Sequence, residues 1–359
     1  MTMAVADILD TPAPEWDDLA RRARTANRLR TGLLVVFLSL VSLPIILPYL
    51  WMVVISFSAR TGGVESGVLW RVVAVLAPAV ILLAVALMTL RARRLRLAAT
   101  VAIAALAAAA IWIVSGSDLH LQNYRFLVNP NVIEDMRGKA TAGGQFPWVW
   151  NAFFNSLFVA GISTAVKATA ATLAGYYLSR FAFPGRAGYL QGLLVIEAFP
   201  PMILTIPIFI VVYWIGLINT LPGPMLVISA LDLPFYIFVM KGFFDGVPWD
   251  IEMSALTDGA TRRQAFLHVV LPQVTGGIIA ISIFAFIKGW EEYVFVTSLR
   301  TGNSYWVMST YLYYIAQDVM GVDYGMVAAV SVIYVIPSLL LYLFFQKYLT
   351  QMTFGGVKG

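Results

Sequence analysis

Lys241-Gly-Phe-Phe-Asp-Gly-Val-Pro-Trp-Asp-Ile-Glu-Met-Ser-Ala-Leu-Thr-Asp-Gly-Ala-Thr-Arg-Arg-Gln-Ala-Phe-Leu-His-Val-Val-Leu-Pro272 is a long polar interruption between two apolar runs. It reads as two short amphipathic helices joined at a turn. Pro248 and Asp250 open the first, because proline suits a first turn and an acid suits the positive end of the helix dipole. Asp258-Gly259 marks the turn, since glycine accepts the left-handed backbone that ends a helix. The second helix is predicted over 260–270, ending before Leu271-Pro272, where proline blocks continuation. Ala265, Phe266, Val269 and Val270 fall on one apolar face. Such a segment is either a solvated loop with incidental helices or a docking knob for a partner, and the pattern favours the knob.

The apolar runs on either side, 224–240 and 274–299, extend in both directions. Further runs cover 31–58, 72–90, 97–115, 151–179, 189–217 and 324–348. A crossing needs about 20 apolar residues, so the expected fold is all-α, a polytopic membrane helix bundle of about eight transmembrane helices. Composition agrees: 60% of the 359 residues are hydrophobic and 12% are charged, which excludes a water-soluble enzyme, a disordered tail and a collagen-like rod. Runs 151–179, 189–217 and 274–299 each admit a break. Run 31–58 is too long for a signal-peptide core and follows acidic residues, so it reads as a retained helix. With no cysteine and only His120 and His268, no disulfide framework, thiolate nucleophile or Cys-based zinc site is available.

The net charge of +5 matters less than where the positive charges fall. Eight spans put both termini on one side. That side carries Arg21, Arg22, Arg24, Arg28 and Arg30, the turn Arg91-Ala-Arg-Arg-Leu-Arg96, Arg180, Arg186 and the quoted loop, hence most of the Lys and Arg residues. The positive-inside rule makes it cytoplasmic. The expected organisation is a cytoplasmic tail at 1–30, a membrane helix at 31–58, a transmembrane hairpin at 60–118 and an extracytoplasmic loop at 119–147. A core at 148–348, containing the cytoplasmic loop 241–273, and a tail at 349–359 follow. The hairpin's Ala, Val and Leu content favours peripheral packing over a solute path.

The quoted loop resembles the EAA loop of permease subunits of bacterial ABC importers, in which Glu-Ala-Ala, three residues, Gly and nine residues precede Ile-x-Leu-Pro. Here Gly259 is followed by nine residues and then Val269-Val270-Leu271-Pro272. The family's Glu-Ala-Ala falls on Met253-Ser254-Ala255; the acid stands one position earlier, at Glu252. Gln122-Asn-Tyr124, Asn155-Ser-Leu157, Arg180-Phe-Ala-Phe-Pro-Gly185, Lys241-Gly-Phe-Phe244 and Gly355-Gly-Val-Lys-Gly359 extend the resemblance to the maltose-permease type of carbohydrate importer, over about 31–58 and 119–359. The hairpin 60–118 lacks a counterpart in the usual six-span subunit and looks inserted.

The resemblance implies a non-catalytic inner-membrane subunit, with both termini cytoplasmic, for a sugar or sugar derivative. Its implied partners are a second permease, two ATP-binding subunits that hold ATP and Mg, an extracytoplasmic solute-binding protein and membrane lipid. It also implies that Glu252, Ser254, Ala255, Asp258, Gly259, Ala260, Arg262, Phe266, Leu271 and Pro272 couple the chain to the ATPase. Independently, no Gly-x-x-x-x-Gly-Lys-Ser/Thr loop occurs, and Gly138-Lys139 lacks both the upstream glycine and the hydroxyl. No cofactor and no metal is expected in this chain, and no basic-aromatic groove points to nucleic acid.

A charge at a helix centre costs about 2.5–3.5 kcal/mol on insertion scales, so it tends to face the bundle interior or a wet cavity. Asp232, Glu197, Trp290, Glu291, Glu292 and Tyr293 are therefore the candidate pathway residues; Trp290-Glu-Glu-Tyr293 also resembles the family's Trp-Asn-Glu-Phe stretch. The same acids could instead pair with Lys167 or Lys288 and hold helices together. Trp148, Trp150 and Trp306 are expected in interfacial belts. Two rival functions stay open at this point, an ion-coupled secondary transporter and a membrane assembly scaffold.

Overall fold

A row of small residues decides how the helices assemble. In the helix Val149–Arg180 the buried positions include Ala152, Ser156, Ala160, Ser163, Lys167, Ala171, Gly175 and Leu178. They are spaced three or four apart, so they form one stripe. In lipid, burial of apolar surface gives little drive for association, and small side chains act by letting backbones approach closely. The approach is tightest at Gly175, where a Cβ would lie 2.8 Å from the Cβ of Met240 and 2.9 Å from the Lys241 backbone nitrogen.

The computed structural model describes residues 16–58, 66–90, 92–130, 147–302, 305–317 and 322–355. Its helices are α1 (Trp16–Phe57), α2 (Ser66–Thr89), α3 (Arg93–Ser115), α4 (Val149–Arg180), α5 (Arg186–Glu197), α6 (Thr205–Trp214) and α7 (Pro222–Asp245). They continue with α8 (Trp249–Thr257), α9 (Arg262–Gln273), α10 (Thr275–Trp290), α11 (Val294–Ser298), α12 (Met308–Ala316) and α13 (Tyr324–Gly355). Short 3₁₀ turns at Gly116–Asp118, Gln122–Leu127 and Pro201–Leu204 link some of them. The acids at Asp7, Asp10 and Glu15, the basic Arg60 and Arg91, Gly138-Lys139, Gly143-Gly144 and the last four residues of the C-terminal glycine motif lie outside the described residues.

The chain divides into two compact units, Met1–Val54 and Ile55–Gly359. The first contributes most of α1, which carries Pro44 and Pro48 within the helix. In the second, α4 runs through three buried clusters. One joins it to α10, α12 and α13 around Trp290 and Tyr311. Another joins it to α7, α9 and α10 around Met240 and Phe244. The third joins it to α6, α7 and α11 around Ile228 and Val296. Helices α2 and α3 pack on each other as a hairpin, tied near its open end by the Arg71–Asp118 ion pair at 2.7 Å.

Among the described residues, five helices are each long and apolar enough to cross a membrane, and the number rises to seven if each of two bent pairs counts as one span. The expected first span lies within α1, where Pro44–Phe57 is an apolar stretch. The expected breaks sort unevenly. Run 151–179 is unbroken, because Lys167 is buried and paired rather than disruptive. Run 189–217 is bent by 88° between α5 and α6, where Pro200 and Pro201 offer no backbone N–H to continue a helix. Run 274–299 stops at Trp290, and α11 restarts at Val294.

Candidate functional site

The loop between α7 and α10 is a folded knob. Its turn is closed from both sides. The Gly259 amide donates to the Leu256 carbonyl at 3.1 Å, and the Ala260 amide to the Ala255 carbonyl at 3.0 Å. This pair of bonds is a Schellman motif, with Gly259 in the left-handed conformation at φ 91°. Thr261 and Gln264 then form a capping box: the Thr261 amide donates to Gln264 Oε1 at 2.8 Å, and the Gln264 amide to Thr261 Oγ1 at 3.3 Å. The second helix therefore starts at Arg262 rather than 260. It also passes through Leu271-Pro272 to Gln273 instead of ending before them. A π-turn over Phe266–Val270 absorbs the proline: the Leu271 amide reaches back to the Phe266 carbonyl, and Pro272 has no N–H to be orphaned. The bend comes at Val274, where α9 meets α10 at 71°.

Glu252 fixes the knob to the bundle. It is 3% exposed, so it faces inward in this chain, whereas the family resemblance implied a residue that couples to the ATPase. Its Oε1 accepts from the Tyr176 hydroxyl at 2.6 Å. Its Oε2 lies 3.0 Å from Arg180 Nε, an ion pair rather than an aligned hydrogen bond. Arg180 also donates to the Val247 carbonyl at 2.9 Å and lies over the Trp249 ring. Phe266 meets the Tyr176 ring at 4.4 Å, while Ala265 and Val270 are fully buried beneath it. Arg262 turns back over the Phe181 ring at 5.2 Å. Ser254, Asp258 and Gly259 remain exposed, along with Trp249, Ile251, Met253 and Leu267. The outer face thus mixes exposed apolar side chains with exposed polar and charged ones, and the inner face is held by a charged network.

The residues at membrane depth fall into two groups. In the first, Asp232 bridges two lysines. Lys167, which has no exposed surface, donates to Oδ2 at 3.0 Å, and Lys288, whose side chain is 56% exposed, to Oδ1 at 2.5 Å. Lys167 also lies 5.7 Å from the Tyr236 ring centroid. Glu292 and the exposed Glu197 stand within electrostatic reach of Lys288 and Asp232. Glu292 caps α11 as well, its Oε1 accepting from the Phe295 amide at 2.8 Å. Both Asp232 oxygens are committed to lysines joining α4, α7 and α10.

The second group lines a cavity of about 400 Å³ between the end of α10, α12 and α13, with Glu291, Tyr293, Ser309, Tyr313, Ser331 and Tyr334 among its walls. Trp290 is 1% exposed. It acts here through Tyr334, stacking on its ring at 5.9 Å and donating to its carbonyl at 3.0 Å. The sequence reading singled out Glu291 and Tyr293 but not Tyr313, Ser309, Ser331 or Tyr334, which the fold brings from other helices. Of the three belt tryptophans, Trp148 and Trp150 donate to the Phe126 and Leu127 carbonyls. Trp306 is instead buried, with the Arg300 guanidinium 4.1 Å from its ring centroid.

The motif residues of the maltose-permease resemblance have structural work in common. Asn123 donates to the Ser56 and Ser58 carbonyls. Asn155 donates to Trp306, and Ser156 accepts from the Met308 amide. Gly185 takes φ 87° before α5.

Helices of membrane-spanning length, with a bent pair among them, define a multi-pass membrane helix bundle that carries a knob held by buried charge. The binding-protein-dependent transport system inner membrane component family matches residues 169–353, and the chain belongs to it. It is 34% identical over 54% of its length to the diacetylchitobiose uptake system permease protein NgcG of Streptomyces coelicolor, spanning 65% of that protein. It is 31% identical over 58% of its length to the trehalose transport system permease protein SugB of Mycobacterium tuberculosis, spanning 77% of it. The fold is similar to a chain in the crystal structure of a bacterial ABC transporter involved in the import of the acidic polysaccharide alginate. That match has a TM-score of 0.61 at 17% identity, over 90% of this chain and 97% of that one.

Proposed function

We propose that this chain is one of two permease subunits of an ATP-driven importer for a neutral sugar or sugar derivative. In this reading a binding protein delivers the solute, and two ATPase subunits dock on the knob. The observation that carries it is the two-faced knob. A buried Glu252–Arg180–Tyr176 network ties α8 to the end of α4, and Ile251, Met253 and Leu267 are exposed on its outer surface beside polar side chains. A pushed knob that is rigidly joined to α4 moves α4, and α4 runs through all three buried clusters. Closure of the ATPases would therefore tip the bundle between two arrangements, which is what coupling requires. ATP and Mg belong to those partner chains, and both termini lie in the cytoplasm. The names of the relatives make diacetylchitobiose and trehalose the first solutes to test.

The test is affinity purification of the full chain from its native membrane in mild detergent. An ATPase subunit and a second permease should co-purify, and a binding protein should stimulate ATP hydrolysis by the complex. A chain that purifies alone under several gentle conditions would overturn the importer reading in favour of an ion-coupled transporter or a scaffold.

A further inference from the structure

We propose that this chain contributes its own binding site for a neutral pyranose ring, in the cavity between the end of α10, α12 and α13. Only the ligand's role as cargo rests on the importer reading; the recognition chemistry stands on the cavity itself. It is an open groove rather than an enclosed pocket, and its volume of about 400 Å³ lies within the range of small-molecule sites. Tyr293, Tyr313 and Tyr334 supply aromatic faces from three different segments, and the apolar C–H face of a pyranose packs on such rings. Glu291 is exposed and brings a carboxylate to the same wall, which accepts hydrogen bonds from sugar hydroxyls. Ser309 and Ser331 already donate to the Glu292 and Val327 carbonyls; their oxygens keep lone pairs that can accept.

The walls are held before a ligand arrives. Trp290 fixes Tyr334 by stacking and by a hydrogen bond to its carbonyl. Tyr293 and Tyr313 brace each other with ring centroids 4.7 Å apart. Among the described lining residues there is no lysine or arginine. The wall itself therefore presents an anionic ligand with the Glu291 carboxylate and no cation, which favours a neutral ligand.

The test uses the full chain, with whatever subunits co-purify, in lipid nanodiscs. Saturation-transfer NMR reports binding of diacetylchitobiose and of trehalose, each with choline as a competitor. Transfer to ring protons of at least one disaccharide is expected, falling about tenfold in Tyr313→Ala and in Glu291→Gln. Trp112→Ala, on the exposed face of α3, should leave it unchanged. Tyr313 is 47% exposed, so its truncation leaves the core intact. The site is refuted if neither disaccharide gives transfer, if the signal survives both cavity variants, or if choline alone binds. Uptake driven by ATP with insensitive transfer would sink the site and leave the importer reading standing. Sensitive transfer from a chain that purifies without an ATPase would do the reverse.

Discussion

Lys167 is the residue whose role depends most on its surroundings. It lies in the middle of α4 with no exposed surface, and Asp232 is its charge partner. Removing one member of a buried pair strands the other, at a cost of about 3–5 kcal/mol, whereas replacing both with apolar groups is often neutral. Asp232→Leu should therefore sharply lower the thermal stability of the chain in nanodiscs, and Lys167→Met with Asp232→Leu should recover most of the loss. Lys288 loses its partner in both variants, so the comparison between them isolates the stranded charge of Lys167. A double variant as damaged as Asp232→Leu would show that the pair is not what holds α4 to α7. Both members are visible in the sequence as charges inside apolar runs. Their pairing is not, because 65 residues separate them and only helix packing brings them together.

Among the elements, the knob is the one whose local chemistry was most legible. Asp258-Gly259 announces a left-handed turn, and the structure places Gly259 at φ 91°. The capping box was equally available in Thr261 and Gln264, and it moves the start of α9 to Arg262. The π-turn ahead of Pro272 was not available, because it depends on Ala265 and Val270 being fixed against the bundle. A non-glycine residue in the left-handed region costs about 1–2 kcal/mol, with asparagine the best tolerated. Gly259→Ala should thus tilt α8 against α9: ATP hydrolysis persists while sugar uptake per ATP falls several-fold in proteoliposomes. Gly259→Asn should restore much of the coupling. Equal coupling in the alanine variant and the native chain would mean that the turn angle is not what transmits the motion. No Cβ contact explains the need for glycine here, since nothing lies within 4 Å of the position; backbone conformation alone does.

For the whole molecule, the hairpin α2–α3 poses the question of what is essential. Its two ends already meet. Ser58 and Leu119 form an antiparallel bridge, and Asn123 donates to the carbonyls of Ser56 and Ser58. A short linker replacing residues 59–118 would close a gap that the fold has already closed, at little loop entropy. The excised chain should insert, keep the α4–α7–α10 assembly and retain the ATPase partners on purification. Loss of the second permease alone would make the hairpin an interface, and loss of all partners would make it part of the core.

The sequence by itself determined that this chain is helical and membrane-spanning, that it has a polar knob with a glycine turn, and that its family is a transport one. Hydropathy, turn chemistry and motif spacing are local signals that need no partner from elsewhere in the chain. Only the tertiary structure decided the fate of each charged or aromatic group. Glu252 turned inward, Asp232 was consumed by two lysines, and Trp290 became a brace for Tyr334. Tyr313, Ser331 and Tyr334 arrived at the cavity from α12 and α13. A side chain's role at membrane depth depends on which helix it meets, and packing of small-residue stripes sets that choice.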